Sequence, residues 1–280
     1  MKKINAQILW SIVYLIIGGL IFILGLNLLK FIPENWQDTY KIALPILLLI
    51  SYVVSRRYFP SQKTVFLAFF LVSLGWVLDF YVTPIIKGWF SLSTTDLSGI
   101  AFTMVISMIM VCTPVILGWL ISGRKLTALF IQGSTKMWGI LVGILGLILF
   151  GGLGVLQSLG QGLATESIGI AILFALVFSL ANGFREELVY RAAFLEGFQA
   201  NIGIIATITV TTLVFAVAHV DVSYMPPSQI IFAVVLLIIG VVGSLIMLKT
   251  RSLIGAVLFH SGADVLLIMG LLTSQQLLIQ

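Results

Sequence analysis

The sequence predicts an all-α fold, a polytopic transmembrane helix bundle of about eight spans. Three observations carry that expectation. Hydrophobic residues fill 60% of the 280 positions and charged residues only 9%. Mean hydropathy is +1.18, far outside soluble globular usage. The apolar residues also come in long runs, and a helical span takes about 20 of them. Lysine and arginine sit in the short links between runs. The net charge of +5 therefore reports orientation in a bilayer and not a nucleic-acid partner. The single cysteine, Cys112, lies inside an apolar run; it excludes an internal disulfide and a cysteine-cluster metal site, and reads as a packing residue.

The elements follow in order. A first run over about 8–31 comes after Lys2 and Lys3 and closes at Pro33-Glu34-Asn35. It exceeds the roughly 7–15 residues of a signal-peptide core and lacks a small-x-small cleavage site, so a retained helix is expected. The second, about 42–55, is short and closes at Arg56-Arg57 and Pro60; Pro45 is expected in its first turn, where proline is tolerated. The third spans about 65–86 with Asp79 inside it, and the fourth about 99–121, closed by Ser122-Gly123-Arg124-Lys125. The fifth, about 138–158, carries Gly139-x-x-x-Gly143, a spacing that permits close helix contact.

After a polar link from Gln157 to Glu166, the run from Ile168 to Leu180 passes directly into an acidic cluster. Only Gly183 interrupts it, at a cost of about 1 kcal/mol, so one long helix over about 167–199 is expected. Asn201-Ile202-Gly203 turns the chain. The next helix, about 203–220, ends in His219-Val220-Asp221, and Pro226-Pro227 opens a loop. The last two helices cover about 229–248 and 252–272, separated by Lys249-Thr250-Arg251. Basic links (Lys2/Lys3, Arg56/Arg57/Lys63, Arg124/Lys125, Lys249/Arg251) alternate with links holding Glu34/Asp38, Asp96 and Glu166. The positive-inside rule then places the N-terminus in the cytoplasm, in a protein of the cell (plasma) membrane. Trp10, Trp36, Trp89 and Trp138 suit interface belts better than a cofactor box.

The unusual chemistry is confined to the second half. Arg185-Glu186-Glu187-x-x-x-Arg191 puts four ionisable residues beside a long apolar run, and each costs roughly 2.5–3.5 kcal/mol near a bilayer centre. Taken alone, such a cluster reads as a helix end snorkelling into the headgroups. Glu187 and Arg191 are four apart and share a helix face, as do Phe215 and His219, and His260 and Asp264. The chain has two histidines, both beside acids in apolar helices. If the chain reverses near residue 202, Glu186 and His219 both stand roughly 25 Å from the turn, at one depth. His260 reaches that depth if its helix packs alongside.

Such a group suits hydrolysis. A desolvated glutamate can take a proton from water, one histidine can hold that water, and another can stabilise an oxyanion. No serine or cysteine is placed with these groups as a nucleophile. Two histidines and a carboxylate could instead bind zinc, although His-Glu-x-x-His is absent. No other cofactor is expected.

Glu186-Glu187-x-x-x-Arg191, Phe215-x-x-x-His219 and His260-x-x-x-Asp264 together resemble the motifs of the CPBP family, the CAAX proteases and bacteriocin-processing enzymes also called Abi proteins. The resemblance covers about residues 167–272. It implies an intramembrane endopeptidase in which Glu186 activates water, His219 helps bind it, Glu187 and Arg191 support the pocket, and His260 acts in the oxyanion hole with Asp264 beside it. Residues 161–280 would then be the catalytic helices and residues 1–160 the N-terminal helices of one continuous membrane domain. The partners implied are a peptide or membrane-protein substrate and the lipid bilayer, with no nucleic acid. The substrate would be a CAAX-type, bacteriocin or signalling peptide precursor. Two departures stand out: the last motif often ends in Asn where this chain has Asp264, and Ala192 follows Arg191 where Gly is common. An ionised Asp264 cannot donate to an oxyanion, so it must be protonated or must orient His260. Two other readings stay open: a non-catalytic scaffold or bacteriocin self-immunity protein using the same cavity, and a proton-coupled transporter. No repeat between the halves supports the latter.

Overall fold

The computed structural model describes residues 2–27, 31–93, 95–219 and 229–274. Those residues form an all-helical bundle without strands. In chain order the helices are α1 (Lys2–Gly18, continuing as a π-helix over Gly19–Asn27), α2 (Glu34–Tyr58), α3 (Lys63–Trp89), α4 (Leu97–Ile121), α5 (Met137–Gly160), α6 (Ile168–Glu186), α7 (Ala193–Ile202), α8 (Ile204–Ala218), α9 (Gln229–Thr250) and α10 (Ile254–Ser274). Among the described residues, eight segments are long and apolar enough to cross a membrane, one of them the continuous stretch Thr165–Ile202, while Ile204–Ala218 is shorter. The chain is an integral membrane protein. Val220, Asp221, Pro226 and Pro227 lie outside the described residues.

One expectation is corrected. Helix α2 begins at Glu34, not near residue 42, so Pro45 lies well inside it and is buried. The polar residues before the apolar run are helical because they find partners on α3. Asp38 accepts from the Tyr81 hydroxyl at 2.7 Å, and Lys41 Nζ sits 3.2 Å above the Phe80 ring. Polar and aromatic groups at this level extend the helix beyond its hydrophobic stretch. Helix α4 starts where the sequence places it, because Asp96 caps it by accepting from Gly99 N at 2.5 Å. That bond, with the Ser98 hydroxyl, holds the Asp96 carboxyl below its usual range. Trp36, Trp89 and Trp138 are exposed near helix ends as expected, whereas Trp10 packs against the core. Cys112 is buried.

Helix α10 is held by glycine. The expected contact of Gly139 and Gly143 is one part of a longer stripe on α5 in which Gly146, Gly151 and Gly154 are also buried. A methyl group at Gly143 would lie 2.5 Å from the Gly255 carbonyl oxygen, and one at Gly262 would lie 2.5 Å from the Gly146 carbonyl oxygen. The two backbones are therefore in direct contact along most of their length. On the other side Gly183 of α6 plays the same part, since its added carbon would stand 2.7 Å from Ser261 Oγ. These contacts fix the depth and rotation of His260. A Gly143→Leu change is expected to destabilise the bundle by about 1–3 kcal/mol or more through overpacking, read as a lower unfolding temperature in detergent. An unchanged temperature would show that α5 and α10 separate freely.

Candidate active site

The acidic cluster sits in the middle of a helix and not at its end. The sequence run over 168–202 is helical throughout, as expected, but Glu187–Ala192 form a π-helical turn between α6 and α7. Such turns insert one extra residue and are frequent at functional sites. All six residues of the turn are buried. A helix exposes some face unless it is surrounded, so the snorkelling reading of this cluster fails here.

At the far end of α7 the chain reverses at Gly203, which has φ +82°. Gln62 ties this corner to α3, donating from Nε2 to Asn201 Oδ1 at 3.1 Å. Helix α8 then climbs back antiparallel and ends with His219 as its C-terminal cap residue. The equal spacing about the turn does place Glu186 and His219 together: His219 Nε2 stands 3.5 Å from Glu186 Oε2. His260 Nε2, on α10, stands 3.5 Å from the same oxygen. Glu186 Oε2 is buried and has no hydrogen-bond partner among the described residues. Its other oxygen, Oε1, faces Arg185 Nη2 at 3.5 Å.

Each histidine is fixed through its other nitrogen. His219 Nδ1 is 2.7 Å from the Phe215 carbonyl oxygen, so Nδ1–H donates there and Nε2 is turned to Glu186. His260 Nδ1 donates to Glu187 Oε1 at 2.8 Å. Glu187 also accepts from Arg191 Nη1 in an ion pair whose members are both 0% exposed. The Arg191 guanidinium lies 4.3 Å from the Phe215 ring centroid. Thus Glu187, Arg191 and Phe215 form one support: the ion pair anchors His260, and the ring under the arginine belongs to the residue whose carbonyl holds His219.

Asp264 is less close to His260 than their spacing suggests, at 3.7 Å from Oδ1 to Nε2. Its firm partner is Asn182 on α6, which donates from Nδ2 to Oδ2 at 3.0 Å. Asn182 Oδ1 in turn accepts from Arg185 Nη2 at 2.7 Å. Arg185 Nη1 donates to Ser107 Oγ on α4 at 2.6 Å, and the guanidinium lies 5.1 Å from the Trp76 ring of α3. Sequence reasoning gave no role to Asn182, Ser107 or Trp76. The available signal was Asn182 itself, an amide in an apolar run one turn before Glu186. Asp79 stands apart from this network, accepting from Thr83 within α3 at 2.7 Å.

Zinc, the cofactor alternative, would draw on Glu186, His219 and His260. Among the described residues, no group of three or more His, Cys, Asp or Glu side chains has an arrangement that could hold a metal ion.

Residues 167–266 match the family model described as Rce1-like, Type II CAAX prenyl endopeptidase. This is the family that the three motifs resemble, and the matched segment contains all of them. No curated protein gives a significant match, and no solved structure does.

Proposed function

We propose, for a chain whose residues 167–266 match the CAAX prenyl endopeptidase family model, that it hydrolyses a peptide bond near the membrane surface with water activated by Glu186. The observation that carries this reading is Glu186 Oε2, buried, without a hydrogen bond among the described residues, and 3.5 Å from Nε2 of both histidines. A water bound between Oε2 and His219 Nε2 gives its proton to Oε2 as its oxygen adds to the scissile carbonyl carbon. The carbonyl oxygen takes up negative charge and is met by His260 from the neighbouring helix. The proton on Glu186 passes to the amine nitrogen as the C–N bond breaks. Glu187 and Arg191 hold the ring of His260 throughout. The substrate is a peptide or membrane-protein segment, of the CAAX, bacteriocin-precursor or signalling-peptide kind, and the alternation of basic links supports a cytoplasmic N-terminus.

The test is cleavage of peptide precursors, prenylated and not, by the protein in nanodiscs. Cleavage is expected from the native chain and not from Glu186→Ala or His219→Ala; activity unchanged in both would overturn the reading. Peptide binding without cleavage in every form would favour the scaffold or immunity reading. A chelator is expected to leave the rate unchanged. Loss of activity on chelation, restored by zinc, would move the chemistry to a metal-bound water.

A further inference from the structure

We infer that Asn182 and Arg185 are positioning residues for this hydrolysis, holding Asp264 as an acceptor whose free oxygen faces His260; the inference rests on the proposed endopeptidase reading. A guanidinium has no acceptor, so the Asn182 atom 2.7 Å from Arg185 Nη2 is the amide oxygen. That settles which end of the amide faces α10: the NH2 group meets Asp264 Oδ2 at 3.0 Å. Asp264 therefore accepts on Oδ2, and Oδ1 is left toward His260 Nε2 at 3.7 Å. His260 has an acceptor on its other nitrogen too, Glu187 Oε1 at 2.8 Å.

With Glu187 Oε1 on Nδ1, and the oxygens of Glu186 and Asp264 at 3.5 and 3.7 Å from Nε2, the ring of His260 is surrounded by acceptors. Asp264 thus serves His260 and does not itself donate to the oxyanion, which answers how an acid stands where the family often has an amide. The chain Ser107, Arg185, Asn182, Asp264 also links α4, α6 and α10 across the site. Arg185 divides its fork: Nη1 takes the α4 hydroxyl, and Nη2 faces both the Asn182 oxygen and Glu186 Oε1. One rigid side chain so sets the base and the Asp264 support against each other, which a lysine point charge does not do.

A swap of the two residues tests this. Asn182→Asp alone sets two carboxylates face to face. Asp264→Asn alone turns an NH2 group toward His260, because Asn182 still offers its own NH2 to the oxygen of Asn at 264. Made together, the changes rebuild the bond: the carboxylate at 182 accepts from Arg185 and from the amide at 264, and an oxygen again faces His260. Each single variant is expected to lose roughly a hundredfold in kcat, the scale of a misplacement on the order of 1 Å, with KM little changed. The double variant is expected to regain most of that loss.

Two outcomes overturn the inference: Asp264→Asn as active as the native chain, which makes position 264 a direct donor, or a double variant no better than the worse single one. Unfolding temperatures taken across the cycle separate lost orientation from lost folding, since kcat must move at temperatures where every variant stays folded. Glu186→Ala, run beside the cycle, keeps the two proposals distinct. If it is inactive while the cycle is additive, the positioning idea fails and the endopeptidase reading stands.

Discussion

Replacing Glu186 by glutamine is expected to slow peptide cleavage by about a hundredfold to ten-thousandfold, the range that general-base catalysis contributes. The change is nearly isosteric. The amide oxygen can occupy the place of Oε1, 3.5 Å from Arg185 Nη2, so that contact survives. An NH2 group then takes the place of Oε2, between two imidazole Nε2 atoms that each lie 3.5 Å from it. It offers no lone pair for the proton of the attacking water, and it donates where the mechanism needs an acceptor. Binding should change little, because the supports of both histidines do not involve Oε2. The split is measurable as a fall in single-turnover rate with an unaltered affinity for a non-cleavable peptide. His219→Gln should lose less, since it removes a water ligand and leaves the base. Full activity in Glu186→Gln would take this carboxylate out of the chemistry.

The sequence revealed the fold where a hydrophobic run coincides with a helix, and was less informative where partners decide. Helix α2 shows the limit: Asp38 and Lys41 look like loop residues until Tyr81 and Phe80 are seen beside them. The glycine pair of α5 pointed to close packing, but that α10 is its partner depends on Gly255 meeting that pair, and Gly262 meeting Gly146, in three dimensions. Within the site, spacing of four found Glu187 with Arg191 and Phe215 with His219, because both are local to one helix or its end. For His260 and Asp264 it found the contact, 3.7 Å across the pair, but not the closer partners. Their separation on α10 suggests a pair, yet each has its closer partner on the chain of α6 and the π turn, Glu187 for one and Asn182 for the other. Interhelical choices of this kind depend on rotation about the helix axis, which the glycine contacts set. The π turn itself has no mark in the sequence, since nothing in Glu187–Ala192 departs from ordinary helix-forming composition except its charges.

The buried ion pair gives the largest expected effect on stability, and it separates stability from activity. Arg191→Ala removes the guanidinium from a site where it is 0% exposed and leaves Glu187, also 0% exposed, with only its bond from His260 Nδ1. Breaking a buried pair in this way costs about 3–5 kcal/mol. The packing leaves little room for water to take the place of the guanidinium. Gly243 of α9 packs so closely that an added carbon would lie 3.1 Å from Glu187 Oε2, and the Phe215 ring fills the other side of the guanidinium. Arg191→Lys keeps the charge but loses the planar stack, and should recover only part of the loss. Replacing both members, as in Glu187→Met with Arg191→Met, removes both desolvation costs and is expected to restore most of the stability. It should not restore cleavage, because His260 Nδ1 then has no carboxylate to replace its 2.8 Å bond and the ring can turn away from Glu186. Thermal unfolding in detergent beside cleavage assays reads the two effects separately. A double variant that is both stable and active would reduce Glu187 to a folding residue and leave the orientation of His260 to α10 alone.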